Sequence, residues 1–311
     1  MQTVVGLERL TPPPGGSAVT VGTFDGLHVG HRALISATTQ RGRERGLSPT
    51  VITWDRHPNA TLRPDRVPPL LTSPERKFEL IAETAPDVLV VLPFDERLSR
   101  WSPETFVDRV LVSGLAAKSV TVGAGWRFGH RASGDVALLT ALGRARGFEV
   151  TEAALVEVNG EPVSSSRVRA VVEEGDMPLA ARLLGRPFDV EGTVSHGAHR
   201  GKALGYPTAN LALGSGLLHP RTGVYAGKAH VLGRSSHAAA INVGVNPTFG
   251  GGAASPVGVE AYLLDFDGDL YGETLRVAFH RRLRDELAFA SVDDLVAQMA
   301  RDVEETRALT C

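Results

Sequence analysis

The sequence predicts two domains of different class: an N-terminal α/β domain on a mainly parallel sheet, then a small antiparallel β-barrel with a terminal helix. Three observations carry this expectation. The 311 residues exceed the span of one ordinary hydrophobic core, and 42% apolar residues are enough to fill two. The first half alternates short β-branched runs with helical patterns, which implies crossover connections and parallel pairing. The second half changes to closely spaced strand candidates separated by turns rich in Gly, Asn and Pro, the spacing of a small barrel.

In order along the chain, Ala18 to Val21, Thr50 to Thr53, Val88 to Leu92 and Ser119 to Val122 read as buried strands, and Glu149 to Val158 as a further strand closing the unit. Ser73 before Pro74 and Ser102 before Pro103 mark helix starts. In each a capping hydroxyl precedes a proline at the first helical position, where the missing N–H costs nothing. From Ser164 the chain reads as a helical connector, with Asp176 as N-cap and Gly185 as C-cap ahead of Arg186-Pro187. The domain division is therefore expected between 185 and 186, giving domains 1–185 and 186–311. Beyond it the strand candidates are Val190 to Ser195, Val224 to Val231, Ala238 to Val243, Val257 to Asp265 and Thr274 to Phe279. Ser291, with Asp294 three positions on, opens a closing helix through Val303 whose apolar face carries Leu295, Met299 and Val303. No internal repeat is present.

Composition narrows the function. A net charge of -2, with no Lys/Arg block, supplies no positive field for nucleic acid. The only cysteine is Cys311, so neither an intrachain disulfide nor a Cys-based zinc site is available, which fits a reducing cytoplasm. There is no signal-peptide pattern at the start and no apolar run near the roughly 18 residues of a membrane span. The expectation is a soluble cytoplasmic protein with no membrane or nucleic-acid partner.

The stretch VGTFDGLHVGH, Val21 to His31, falls where the first strand ends and the next helix begins. That is the mouth of an open α/β sheet, and a helix N-terminus there offers free N–H groups to an anion. Gly22, Gly26 and Gly30 allow close backbone approach, and His28 and His31 share one face of the first turn. Three readings are open on these residues: capping and filling, metal ligation, or phosphate contact. The metal reading lacks third and fourth ligands. In the second half, Gly197 to Asn210 (GAHRGKALGYPTAN) joins a basic glycine-rich loop to a strand start. A flexible turn is the ordinary reading. As a device it offers backbone N–H groups for phosphate, Arg200 or Lys202 for charge, and the Thr208 hydroxyl for Mg2+. It is not a GxxxxGK[ST] loop. A lone Glu260 is most simply an outward strand carboxylate, and Trp54, Trp101 and Trp126 are most simply packing residues.

Taken together, GTFDGLHVGHRALI, TWDRHP (Thr53 to Pro58), RFGHRASGD (Arg127 to Asp135) and SSSRVR (Ser164 to Arg169) resemble the bifunctional bacterial riboflavin kinase/FAD synthetase family. The resemblance continues through the Gly197 to Asn210 segment, GVYAG (Gly223 to Gly227), INVGVNPTFG (Ile241 to Gly250), VEAYLLDFDGDLYGE (Val259 to Glu273) and RLRDELAF (Arg282 to Phe289), so it covers essentially the whole chain. It implies a Rossmann-like nucleotidyltransferase domain that transfers AMP from ATP to FMN, and a six-stranded riboflavin kinase-like barrel with a terminal helix. The partners implied are ATP, riboflavin and FMN, with Mg2+ accompanying ATP.

By motif match, His28 and His31 meet the ATP phosphates, Gly22, Phe24, Asp25 and Gly30 belong to the same binding turn, Arg169 and Arg167 add a positive clamp, and His57 lies on the flavin side. In the barrel, Gly201, Lys202, Thr208 and Asn210 would hold phosphates and Mg2+, and Glu260 would act as general base on the riboflavin 5'-hydroxyl. Two positions depart from the family pattern. Gly125 stands where a functional polar residue is usual, and Arg56 replaces the first proline of a Pro-His-Pro element. A kinase with a weakened adenylyltransferase domain, and a non-catalytic flavin-binding module, are the competing readings.

Overall fold

The computed structural model describes residues 1–196, 204–245 and 257–310. By contact the chain forms two units, residues 1–70 with 74–164, and residues 71–73 with 165–311. The connector expected at the end of the first domain thus groups with the second unit.

The first unit carries a six-stranded sheet: β1 (Gln2–Val5), β2 (Ser17–Val21), β3 (Ser48–Trp54), β4 (Val88–Leu92), β5 (Ala117–Gly123) and β6 (Glu149–Ala153). Their order is β1-β4-β3-β2-β5-β6 and every pairing is parallel. Helices fill the connections: α1 (Val29–Glu44), α2 (Asn59–Leu62), α3 (Pro74–Ala82), α4 (Glu96–Ser99), α5 (Pro103–Phe106), continued by a π-helical stretch Val107–Gly114, and α6 (Val136–Arg146). Alternation along the inner strands feeds two cores. Val19, Val21, Ile52, Trp54, Val90 and Leu92 pack to one face with Val107, Val110 and Leu111. Val51, Leu89 and Val91 pack to the other with Leu34, Ile35, Leu80 and Ile81. A parallel sheet covered on both faces requires this double burial.

The strand expected over Glu149 to Val158 is shorter, ending at Ala153; Glu157–Val158 (β7) instead pairs with Glu161–Pro162 (β8) as a separate antiparallel ribbon. β1 was not expected. It is a short edge strand with mostly exposed residues, so burial writes little pattern into it.

In the second unit, α7 (Ser165–Glu174) and α8 (Met177–Leu184) precede the barrel. Asp176 caps α8, its carboxylate accepting from the Leu179 N–H at 3.0 Å, and Gly185 ends it at φ 71. The strands β9 (Phe188–Ser195), β10 (Ala209–Leu213), β11 (Gly223–Val231), β12 (Ser235–Val245), β13 (Val257–Leu263) and β14 (Thr274–Arg284) close in the order β10-β13-β12-β11-β14-β9, all antiparallel. Closure removes the free edges that an open antiparallel sheet exposes.

The last helix, α9 (Val292–Thr310), starts where Ser291 accepts from the Asp294 N–H at 3.1 Å. Its expected apolar face, Leu295, Met299 and Val303, is only half-buried, and its deepest residues are Asp302, Thr306 and Thr310. Asp302 explains the polarity, because its carboxylate takes Arg284 of β14 in a fork, Nε at 3.0 and 3.1 Å and Nη2 at 2.7 Å, with Gln298 adding a bond at 2.8 Å.

That ion pair yields a stability prediction. Asp302→Ala leaves the half-buried Arg284 guanidinium without its counter-charge, and is expected to destabilise the second unit by about 1–3 kcal/mol. Arg284→Met with Asp302→Leu should recover most of that loss. Thermal unfolding of the three proteins decides it, and a single variant that melts with the parent would contradict it.

Candidate functional site

The carboxyl ends of β2, β3 and β5 open onto a cleft of about 1010 Å³. From β2 the chain builds outward through β3 and β4 on one side and resumes with β5 on the other, so the cleft lies at the switch in strand order, where the loops diverge. Val21 to Phe24 and His31 line it from the β2 loop, Trp54, Pro58 and Asn59 from the β3 loop, and Gly123, Trp126 and Phe128 from the β5 loop.

The turn from β2 into α1 is tight. Phe24, Gly26 and Leu27 stand at φ 53, 77 and 40, and the apolar Phe24 and Leu27 are 1% and 0% exposed. Their burial holds a backbone that would otherwise relax. Gly22 is required by this packing, since a Cβ there would meet the Phe24 ring at 2.8 Å; one on Gly30 would press the His28 ring at 3.2 Å.

The turn delivers His28 to the N-cap of α1, where its Nδ1 accepts from the His31 N–H at 3.3 Å. The capping reading of His28 is thus part of the geometry. The two imidazoles stack at 3.6 Å and 17°, and Phe24 meets His31 edge-on at 5.2 Å. Burial pushes His28 down to about 4, against the raising effect of its backbone bond. Burial first, and the neighbouring His28 second, pull His31 well below the usual imidazole range. Both rings are therefore neutral at pH 7. His31 Nδ1 is sealed from solvent and has no hydrogen-bond partner, and the half-buried ring lines the cleft.

Beneath the turn, Asp25 is 4% exposed. Lys77 of α3 is also buried, donating to the Trp54 carbonyl at 2.9 Å; burial pulls it down to about 8, partly countered by the charges of Asp25 and Asp55. His57 is half-buried and accepts from the Asn59 N–H at 3.1 Å, while Pro58 and Asn59 line the cleft. Arg56 is mostly exposed and pairs with Asp55 at 2.9 Å. Gly125 stands at φ 69, with open space around a Cβ built on it, and its N–H donates to Glu152 at 3.0 Å. Arg167 and Arg169 are half-buried on α7, in the second unit.

On the barrel, Val259 and Ala261 point inward at 1% and 0% exposure, so Glu260 between them faces outward, half-buried. It stands opposite Asn210 of β10 on one side and Asn242 of β12 on the other. Thr208 donates to its Oε2 at 3.4 Å. Strand register thus gathers Thr208, Asn210 and Glu260, and adds Asn242, which motif reading did not single out. Gly201 and Lys202, with Arg200, lie outside the described residues. The tryptophans read as packing residues do pack, Trp126 on Phe128 at 4.7 Å and 13° and Trp54 against Phe94, yet all three line the cleft. For Trp54, at the end of β3, and Trp126, just past β5, the position at a strand end was the signal for this.

The two units define the class, a nucleotidyltransferase-type α/β unit joined to a flavokinase-type barrel. The FAD synthetase family model matches residues 11–167, and the riboflavin kinase family model matches residues 184–310. The bifunctional riboflavin kinase/FMN adenylyltransferase of Pseudomonas fluorescens is 39% identical over 309 residues, covering 99% of this chain and 98% of its own. That of Escherichia coli (strain K12) is 35% identical over 303 residues, 97% and 96% of the two chains. A solved structure titled a macrolide-efflux protein from Streptococcus pneumoniae is also similar, with a TM-score of 0.88, 30% identity and 98% of each chain covered. No helix among the described residues here is long and apolar enough to cross a membrane. The chain belongs to the bifunctional riboflavin kinase/FMN adenylyltransferase family.

The histidine pair makes stability depend on acid. Between the ordinary value of 6.5 and about 4, the unfolded chain binds protons that folded His28 refuses, so stability falls as pH drops through that window. Complete titration of His28 amounts to about 3 kcal/mol. Melts from pH 7 to pH 4 should show a shallower loss in His28→Asn/His31→Asn than in the parent; equal slopes would show that other groups govern it.

Proposed function

We propose that the barrel unit phosphorylates riboflavin to FMN and the N-terminal unit adenylylates FMN to FAD, each at the expense of ATP, and that the domain division follows this labour, 1–185 and 186–311. The observation that carries the reading is the match of both family models, in order and each on its own unit. Two matched models give no support to a chain that only binds flavin, and the kinase-only reading is not favoured.

In the barrel, the riboflavin 5'-oxygen attacks the γ-phosphorus of ATP, the bond to the bridging oxygen breaks, and ADP leaves. An alcohol must shed its proton as it attacks, and a positioned carboxylate takes it. Glu260 fills that role, with Thr208 beside it and Asn210 opposite. Hydroxyl, amide and carboxylate oxygens are the donor chemistry that Mg2+ prefers. Thr208 and Asn210 would hold Mg2+ accompanying ATP, and the ion would neutralise phosphate charge there.

In the N-terminal unit, an FMN phosphate oxygen attacks the α-phosphorus of ATP and pyrophosphate leaves. The FMN phosphate, with a second pKa of about 6, is already largely dianionic at neutral pH and needs no base. The task is positioning and charge stabilisation. His31 presents its ring to the cleft, His28 holds it by stacking and capping, and Gly22, Phe24, Asp25 and Gly30 shape the turn. Arg169 and Arg167 act as a clamp and His57 lies on the flavin side, as the motif match implies. The aromatic wall of Trp126 and Phe128 suits a flavin ring. The lone Cys311 and the lack of a basic field support a cytoplasmic enzyme without a nucleic-acid partner.

Pure protein given riboflavin, ATP and Mg2+ should form FMN and then FAD with release of pyrophosphate. Glu260→Gln should slow riboflavin phosphorylation by about 10²- to 10⁴-fold while FAD formation from supplied FMN continues. A variant that phosphorylates at the parent rate would remove Glu260 from the chemistry. Absence of FAD and pyrophosphate in the parent would remove the second activity.

Gly125→Asn tests the departure in the adenylyltransferase loop. A left-handed φ of 69 suits asparagine, and nothing crowds the new Cβ. The variant should melt with the parent and form FAD about 2- to 10-fold faster, the worth of one added neutral hydrogen bond. A rate at or below the parent's would show that the missing side chain is not limiting.

A further inference from the structure

The loop after β5 holds Arg131 at φ 55 and Ala132 at φ 56, consecutive non-glycine residues in the left-handed region. L side chains disfavour this conformation, and it persists only where surrounding structure over-determines it. Both residues are exposed, so burial does not hold them. Hydrogen bonds do. The His130 N–H donates to the Trp101 carbonyl at 2.7 Å, and its Nδ1 lies 3.0 Å from the Ser99 carbonyl. Arg127 Nε donates to the Ala132 carbonyl at 3.1 Å, and Phe128 and Gly134 exchange backbone bonds at 3.1 and 2.9 Å.

The product of this effort is the placement of one guanidinium. Arg63, Arg100, Arg127 and Arg131 all line the cleft, against a single lining carboxylate, Glu96. Glu96 pairs with Arg100 at 2.9 Å, and Arg127 is engaged with Ala132 and lies 3.9 Å from Asp135. Among the described residues, the side chains of Arg131 and Arg63 have no hydrogen-bond or ion-pair partner. Arg131 also shares its loop with the stacked Trp126 and Phe128, and with Gly125, which contributes no side chain.

We infer that Arg131, seconded by Arg63, reads the 5'-phosphate of the flavin in this cleft and so selects phosphorylated flavin over the unphosphorylated form. A planar guanidinium forks onto a dianionic phosphate with two parallel N–H bonds, which a point charge does not reproduce. The inference rests on the adenylyltransferase reading of the N-terminal unit. The phosphate in question is the monoester of FMN rather than the triphosphate of ATP, because Arg131 belongs to the loop with the aromatic wall, whereas the imidazoles come from the loop after β2.

The test uses the full chain and follows FAD formation with FMN and ATP varied separately. Arg131→Gly should raise KM for FMN by about 10- to 100-fold, the loss of a charge-assisted contact, with KM for ATP within about twofold of the parent. Inhibition by lumiflavin, which has neither ribityl chain nor phosphate, should be unchanged. The same variant should melt at or above the parent temperature, because glycine adopts positive φ without strain. Arg131→Lys should recover only part of the FMN affinity, and Arg63→Ala should show a smaller effect of the same kind. An unchanged KM for FMN in Arg131→Gly, or a rise confined to ATP, overturns the inference. If the parent makes no FAD at all, the adenylyltransferase reading fails separately. Fluorescence titration with FMN then decides the matter, since loss of a tight FMN site in Arg131→Gly supports the inference and equal binding overturns it.

Discussion

The N-terminal site depends on how the chain leaves β2. Within a few residues it must turn from a buried strand into α1, and it does so with Phe24, Gly26 and Leu27 at positive φ. Two of these are not glycine, so the turn stands only because Phe24 and Leu27 are driven fully into the core below. The same packing fixes the glycines around it. Gly22 must leave room for the Phe24 ring, and Gly30 for His28. Apolar burial under the loop thus determines where two polar rings stand above it, and their stacking and shared capping bond follow from that placement.

The two units solve different chemical problems, and their side chains differ accordingly. Attack by an alcohol calls for a base, and the barrel offers a carboxylate set outward in a row of Asn210, Glu260 and Asn242 by strand register. Attack by a phosphate dianion calls for none, and the N-terminal cleft offers a neutral imidazole, arginines and aromatic walls instead. A closed barrel of alternating residues fills its interior with Val259, Ala261 and their like, so the proposed reading sets its chemistry on the outer face.

Residues whose role is set locally were legible in the sequence. Ser102, Asp176 and Ser291 cap helices because a short oxygen side chain before a helical run has a nearby N–H to accept from, whatever the rest of the fold does. The inner strands of the parallel sheet were legible because burial on both faces writes a continuous apolar run. What tertiary contact decides was not. β1 is an edge strand with little to bury, and the polar inner face of α9 makes sense only once Asp302 meets Arg284 from a distant strand. Asn242 acquires its place from register, and Arg131 acquires its significance from a backbone angle that no residue pattern announces.

Neutral imidazoles are, on the proposed reading, better suited to pyrophosphate departure than fixed cations would be. A permanent charge at the phosphates stabilises bound ATP and the transition state alike, which tightens binding without lowering the barrier between them. The His28 and His31 pair starts uncharged because burial excludes the proton from both and the neighbouring His28 adds to this at His31. As negative charge accumulates on the leaving group, hydrogen bonding to the adjacent ring strengthens, and the interaction grows along the reaction rather than before it. His31 lines the cleft with its Nδ1 sealed beneath the surface, so whatever bond the ring makes to an entering phosphate is made from its other edge.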